Sequence, residues 1–255
     1  MKKTLIIIIL IVVFTIVSLI ITNNNYTNHI YSHRGASKEE IEHTIKAYDL
    51  AIKQGSKYIE QDIVLSKDKT LFISHDLSAK RITNTDKLYQ DLTDNEIKKL
   101  RTKDGQKILK LEDVFKRYKR KNITYVIELK DIESTEPFIT LVKQYHYQKK
   151  VIVQCSNKTV LKKIKKKFPK TKTLYLTKNQ YDFNNSLKTN YIDILSLEKK
   201  YMNKQNIKKA HTNNKKINIW TLNTKKEIIT AIKLNVDTYF TDYTKKAIKL
   251  EKKYR

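Results

Sequence analysis

Glycine and proline are nearly missing from this 255-residue chain, with 3 and 2 copies. Their scarcity excludes collagen-like and Gly/Pro-rich disordered architectures. There is no Gly-rich phosphate loop, no Gly-x-Ser-x-Gly elbow and no His-Glu-x-x-His zinc helix. Cys155 is the single cysteine, so an intramolecular disulfide and a cysteine-based zinc site are both excluded. Acidic residues are few, 26 against 53 Lys and Arg, and the formal net charge is +27. Such an excess attracts anionic partners, for example phosphate-rich wall polymer or anionic lipid. The competing reading is compositional, because the lysines are dispersed rather than gathered in one patch. No basic and aromatic recognition pattern accompanies them, so nucleic acid is not an expected partner.

What is present is enough apolar content, 40%, for a real core. Lys2 and Lys3 precede an apolar run from Leu5 to Ile21, broken only by Thr15 and Ser18. At ~1.5 Å per residue a helix of this length just crosses the hydrocarbon of a bilayer. A cleaved signal peptide is the alternative. The run is long for such a segment, however, and no small-x-small cleavage site follows it. The expectation is one N-terminal transmembrane helix over 1–22, a polar linker over 23–28 and a single domain over 29–255. The two lysines stay inside, which places the domain outside. A secreted domain without disulfides suits a bacterial cell membrane, crossed once, with the domain extracytoplasmic.

From residue 29 onward, strand-like apolar runs alternate with amphipathic helical runs, the pattern of βα units around a parallel sheet. Strands are expected at 29–32, 58–65, 70–74, 124–129, 151–155, 173–176, 192–197, 217–222 and 238–240. Helices are expected at 39–54, 94–100, 111–119, 137–147, 158–168, 203–213, 225–234 and 243–253, with none assigned over 178–189. Residues 76–110 interrupt the rhythm as an insertion too poor in apolar residues for a core of its own. About eight strands, most followed by a helix, predict a closed (β/α)8 TIM barrel, with a doubly wound open sheet second.

Chemistry gathers at the ends of these strands. Ile30-Tyr31-Ser32 runs into His33, Arg34 and Gly35. Gly35 lets the backbone turn sharply, and Arg34 offers a planar fork for phosphate oxygens. Glu60 and Asp62 are two apart on a strand and share a face. Two adjacent carboxylates repel unless a cation such as Ca2+ or Mg2+ lies between them; pairing with a nearby Lys or Arg is the alternative. Glu128 and Lys130 share a face in the same way. His33 and His75, at successive strand ends, make a general acid–base pair. Trp220 serves either as core packing or as a wall for an apolar part of a substrate. Thr241-Asp242, after the last strand, reads as a helix N-cap.

These residues resemble the glycerophosphodiester phosphodiesterase family. The likeness begins at His33-Arg34-Gly35-Ala36-Ser37 and Glu42-His43-Thr44. It continues through Ile59-Glu60-Gln61-Asp62, Ser74-His75-Asp76, Leu111-Glu112, Ile127-Glu128-Leu129-Lys130, Val153-Gln154-Cys155, Trp220-Thr221-Leu222-Asn223 and Phe240-Thr241-Asp242. The resemblance implies a TIM barrel with a small insertion after the second strand. It implies a divalent cation, Ca2+ or Mg2+, on Glu60, Asp62 and Glu128. It also implies His33 and His75 as general base and acid, with Arg34 and Lys130 on the phosphate and Trp220 on the substrate. The implied reaction cleaves a glycerophosphodiester to sn-glycerol 3-phosphate and an alcohol, through a transient cyclic phosphate formed by the neighbouring glycerol hydroxyl. The chain departs from the family at His43, where Asn is usual after Pro-Glu, at the residue before Leu111, where Pro is usual, and at Ser156, in place of an aromatic. Two rival functions are a lysolipid-directed phospholipase D-like or lyase-type enzyme and a non-catalytic surface binder of anionic glycerophosphate polymer.

Overall fold

Nine short runs rich in Ile, Val, Leu and Tyr form the strands of the computed structural model, which describes the backbone of residues 2–25 and 29–255 and the side chains of residues 6–18 and 29–255. They are β1 (Ile30–Ser32), β2 (Tyr58–Leu65), β3 (Leu71–Ile73), β4 (Thr124–Leu129), β5 (Val151–Cys155), β6 (Lys172–Leu176), β7 (Ile194–Glu198), β8 (Lys216–Trp220) and β9 (Thr238–Thr241). All except β3 pair in parallel, in the order β1-β9-β8-β7-β6-β5-β4-β2, and a β1–β2 pairing closes the ring. The sheet is therefore a closed eight-stranded barrel and not an open doubly wound one. Strand β3 adds to β2 in antiparallel fashion, with Ile63 opposite Ile73.

The helices are α1 (Lys2–Asn25), α2 (Ile45–Lys53), α3 (Asp94–Lys99), α4 (Leu111–Arg117), α5 (Thr135–Gln144), α6 (Lys158–Lys167), α7 (Gln180–Ser186), α8 (Lys204–Thr212), α9 (Lys225–Lys233) and α10 (Thr244–Tyr254). Eight of them, α2 and α4–α10, each follow a barrel strand. Their apolar faces, among them Tyr48, Phe115, Phe138, Leu161, Phe183, Ile207, Ile228 and Ile248, pack on the outer faces of the strands. That packing and capping decide the boundaries. The expected helix over 39–54 begins only at Ile45, where the Thr44 side chain accepts the Ala47 N–H. The unassigned stretch over 178–189 holds α7, started by Asn179, whose side chain accepts the Asp182 N–H.

Alternate strand residues point inward. Inside the barrel Tyr31, Val126, Ile152, Leu174, Ile194 and Phe240 pack together as an apolar cluster. Residues 76–110 bury Ala79, Ile82, Tyr89, Leu92, Ile97 and Ile108 against Val64 of β2 and Phe72 of β3. The insertion has a small core after all, and it shares that core with the barrel's strands.

At the N-terminus the α1 backbone runs past residue 22 to Asn25, so 23–25 of the expected linker are helical, while 26–28 lie outside the described residues. The side chains described on α1, from Ile6 to Val17, are exposed. Among the described residues no helix is long and apolar enough to cross a membrane, so the single crossing expected over 1–22 is not among them.

Candidate active site

Register assembles the site. Parallel pairing sets Asp62 opposite Glu128, and Glu128 opposite Gln154. Closure of β1 on β9 sets Ser32 opposite Thr241, which brings the His33 loop beside Asp242. The C-terminal strand ends thus open on a cavity of about 300 Å³ lined by His33, Arg34, Asp62, His75, Glu128, Lys130, Gln154, Leu176, Trp220, Thr221 and Phe240. Seven of the eight residues singled out in the sequence line it. The eighth, Glu60, lies beneath the cavity, nearly fully buried, and accepts the Arg34 backbone N–H at 2.8 Å.

The loop from Arg34 to His43 is shaped by backbone conformation. Gly35 has φ +89°, and a Cβ there would stand 2.8 Å from the Ala47 carbonyl carbon, so only glycine fits. Arg34 and His43 also adopt left-handed conformations, φ 59° and 58°. Such positions in non-glycine residues are sparse and concentrate at functional sites, with His among the more tolerant types. The His43 N–H donates to the Arg34 carbonyl at 3.0 Å and pins the two ends of the loop together.

Each cavity histidine is oriented by a carboxylate. His33 Nδ1 lies 2.6 Å from Asp242 Oδ1, and His75 Nδ1 lies 2.7 Å from Asp76 Oδ1. A carboxylate only accepts, so Nδ1 carries the proton in both rings and Nε2 is left as the proton acceptor. Burial would raise the pKa of Asp242, but hydrogen bonds from His33, Asn223 and Ser37 hold it below the usual carboxylate range. Asp76 is likewise held low by Arg81 and His75 against a smaller burial penalty. Asp242, expected as a helix cap, does not cap α10, whose N-cap residue, Tyr243, makes no side-chain capping bond. Its carboxylate serves His33 instead.

Charge is concentrated on the other side of the cavity. Lys130 Nζ lies 2.7 Å from Asp62 Oδ1 and 2.8 Å from Glu128 Oε1. Arg34 contacts both Glu42 oxygens, at 3.2 and 3.1 Å, and its Nε is a buried donor without a hydrogen-bond partner. Burial is the largest influence on Asp62 and opposes ionisation, yet His43 and Lys130 keep its pKa below the usual range. Glu60 is pushed well above its usual value by burial and by the Asp62 charge. Two carboxylates with opposed shifts, side by side at the floor of a cavity, suit a cation. His43, Glu60 and Asp62 offer ligand atoms within 4.8 Å of one another. Glu128 stands beside them, its second oxygen taking a 2.5 Å hydrogen bond from Gln154 Nε2. The donor set fits a divalent cation.

Sequence reasoning passed over Asp76, Glu42, Arg81, Asn223 and the chemical role of Asp242. Arg81 reaches from the insertion to grip Glu42 at 3.0 and 2.6 Å and also bonds Asp76, so one guanidinium links the supports of Arg34 and His75. The usable signal was closure itself. A closed barrel must set its first and last strands side by side, which places Asp242 next to His33.

The fold and the carboxylate-oriented histidines at its mouth define a (β/α)8-barrel enzyme. Residues 33–246 match the glycerophosphoryl diester phosphodiesterase family, and the chain belongs to it. A glycerophosphodiester phosphodiesterase of Caldanaerobacter subterraneus is 31% identical over 242 residues, 88% of this chain and 98% of that protein. The solved structure of an Oleispira antarctica phosphodiesterase, in complex with the product sn-glycerol-3-phosphate, superposes with a TM-score of 0.81 at 21% identity, covering 89% of this chain and 98% of that one. A Thermotoga maritima glycerophosphodiester phosphodiesterase superposes at 0.75 with 26% identity, over 87% and 97% of the two chains.

Proposed function

We propose that the protein hydrolyses glycerophosphodiesters to sn-glycerol 3-phosphate and an alcohol. The observation that carries this reading is the meeting of two carboxylate-oriented histidines with Arg34, Lys130 and buried carboxylates around one cavity. Arg34 and Lys130 hold the phosphate oxygens. Glu60, Asp62 and Glu128 hold a divalent cation, and the carboxylates taken alone suit Mg2+ or Ca2+. When bound, the ion stabilises negative charge on the phosphoryl oxygens. His33 and His75 divide the proton transfers. One Nε2 takes the proton of the attacking glycerol hydroxyl, and the other ring returns a proton to the departing alcohol. Asp242 and Asp76 stabilise whichever ring is charged. Chelation should abolish hydrolysis of glycerophosphocholine by the full chain, and a divalent ion should restore it. Full activity after exhaustive chelation would remove the cation from this account.

A second reading, a lysolipid as the diester, is favoured by the apolar wall that Leu176, Trp220 and Phe240 give the cavity opposite its charged half. We also propose α1 as a membrane anchor that holds the barrel outside a bacterial cell. Its support is the apolar sequence from Leu5 to Ile21, broken only by Thr15 and Ser18, and the exposure of Ile6 to Val17. The full-length protein should then stay with the membrane fraction after alkaline carbonate washing, and release by that wash would refute the anchor.

A further inference from the structure

We infer that His43 is a nitrogen ligand of the cation centre, alongside Glu60 and Asp62, and that it turns the centre's preference from Ca2+ toward a first-row transition ion such as Mn2+. The inference rests on the reading of this cavity as a cation site and goes on to name the ion.

Four observations carry it. His43 is buried, 3% exposed, and its Nε2 stands 2.9 Å from Asp62 Oδ2. Lys130 occupies the other Asp62 oxygen, Oδ1, which leaves Oδ2 to His43 and, at 3.5 Å, to Arg34 Nε, beside the cluster that Asp62 forms with His43 and Glu60. The imidazole is also fixed from behind. Its Nδ1 lies 3.0 Å from the hydroxyl of Tyr48, which is itself fully buried and packs edge-on to the ring at 6.3 Å between centroids. Metal-bound histidines are characteristically held this way, with one nitrogen on the ion and the other hydrogen-bonded to an orienting group. In the arrangement described, Nε2–H donates to Asp62 and Tyr48 donates to Nδ1. On ligation the proton moves to Nδ1 and donates to the Tyr48 hydroxyl, so neither ring nitrogen is left without a partner. Finally, the left-handed backbone at His43 and its N–H bond to the Arg34 carbonyl fix the angle at which the ring enters the cluster.

The chemistry of the donors then selects the ion. Ca2+ takes six to eight oxygens in a loose shell. An imidazole nitrogen suits transition ions, while carboxylates are shared by Mg2+, Ca2+ and Mn2+. An imidazole added to these carboxylates therefore favours Mn2+ over Ca2+. Asn is the residue the family usually has here; it tolerates the left-handed backbone and offers no imidazole nitrogen.

The test uses the full-length protein, stripped of metal and loaded with Mn2+ alone. Pulsed electron paramagnetic resonance should show coupling to a directly bound ¹⁴N, converted to a ¹⁵N pattern when histidine is labelled. His43→Asn should abolish the coupling and lower the Mn2+ to Ca2+ affinity ratio, read by calorimetry, by about tenfold or more. Tyr48→Phe should keep the coupling with weaker Mn2+ binding. Absence of nitrogen coupling in the wild type, coupling that survives His43→Asn, or failure to bind Mn2+ would each overturn the inference. Hydrolysis of glycerophosphocholine is measured in parallel. Nitrogen coupling without hydrolysis leaves His43 as a ligand and removes the phosphodiesterase reading, whereas hydrolysis without coupling removes only the ligand.

Discussion

At the scale of single residues, His33 and His75 are set apart from the other histidines by a carboxylate on Nδ1 together with a place on the cavity. His211 also has a carboxylate, Asp237, but it sits away from the cavity. If His33 and His75 move protons, His33→Ala and His75→Ala should each lower kcat roughly 100-fold or more while the fold, read by circular dichroism, is unchanged. Full turnover in either variant would take away its role. Both residues were visible in the sequence because each ends an apolar run. Asp242 was not visible in its true role, because 209 residues separate it from His33 and only closure of the ring joins them. His43 looked like a departure from a motif. In the structure it is the best-enclosed imidazole of the site.

At the scale of elements, the insertion matters through one side chain. Arg81 grips Glu42, and Glu42 in turn holds Arg34. Burial alone would raise the Glu42 pKa, but the hydrogen bonds from Arg81 and the charge of Arg34 bring it down from 4.5 to about 2. A folded pKa below the unfolded one means that ionised Glu42 stabilises the fold above the unfolded value, and that this contribution is lost as pH falls from about 4.5 to about 2. The contribution is on the order of 3 kcal/mol. Denaturant unfolding should therefore show the wild type more stable than Glu42→Gln at neutral pH, with the gap narrowing through that acid window. A gap independent of pH would refute the ion-pair account. Strands were legible in the sequence because each is a bounded run of β-branched and aromatic residues. The start of α2 was not, because apolar spacing continues back to Ile41 while the backbone there is bent to serve the site. Helix α7 is only 7 residues long and is started by Asn179, a signal weaker than apolar periodicity.

At the scale of the whole molecule, the barrel separates stability from chemistry. Much of the barrel interior is apolar, and most of the charged site groups lie at the C-terminal ends of the strands, where a parallel barrel can vary its loops without disturbing its core. The closed ring followed from the count of alternating segments. The ionic network could not follow from it, because its partners come from β1, β2, β4, β9 and the insertion and meet only in three dimensions. The net charge of +27 adds a field that draws anionic substrates toward the molecule.

The central claim is that this mouth cleaves a glycerophosphodiester with paired histidines beside a cation. Phosphorus nuclear magnetic resonance of the full-length protein turning over glycerophosphocholine tests it most directly. The account predicts that the diester signal gives way to sn-glycerol 3-phosphate, only with a divalent ion present and not in His33→Ala or His75→Ala. Phosphocholine as the product, or an unchanged diester signal with Mn2+, Mg2+ and Ca2+ each supplied, would contradict it.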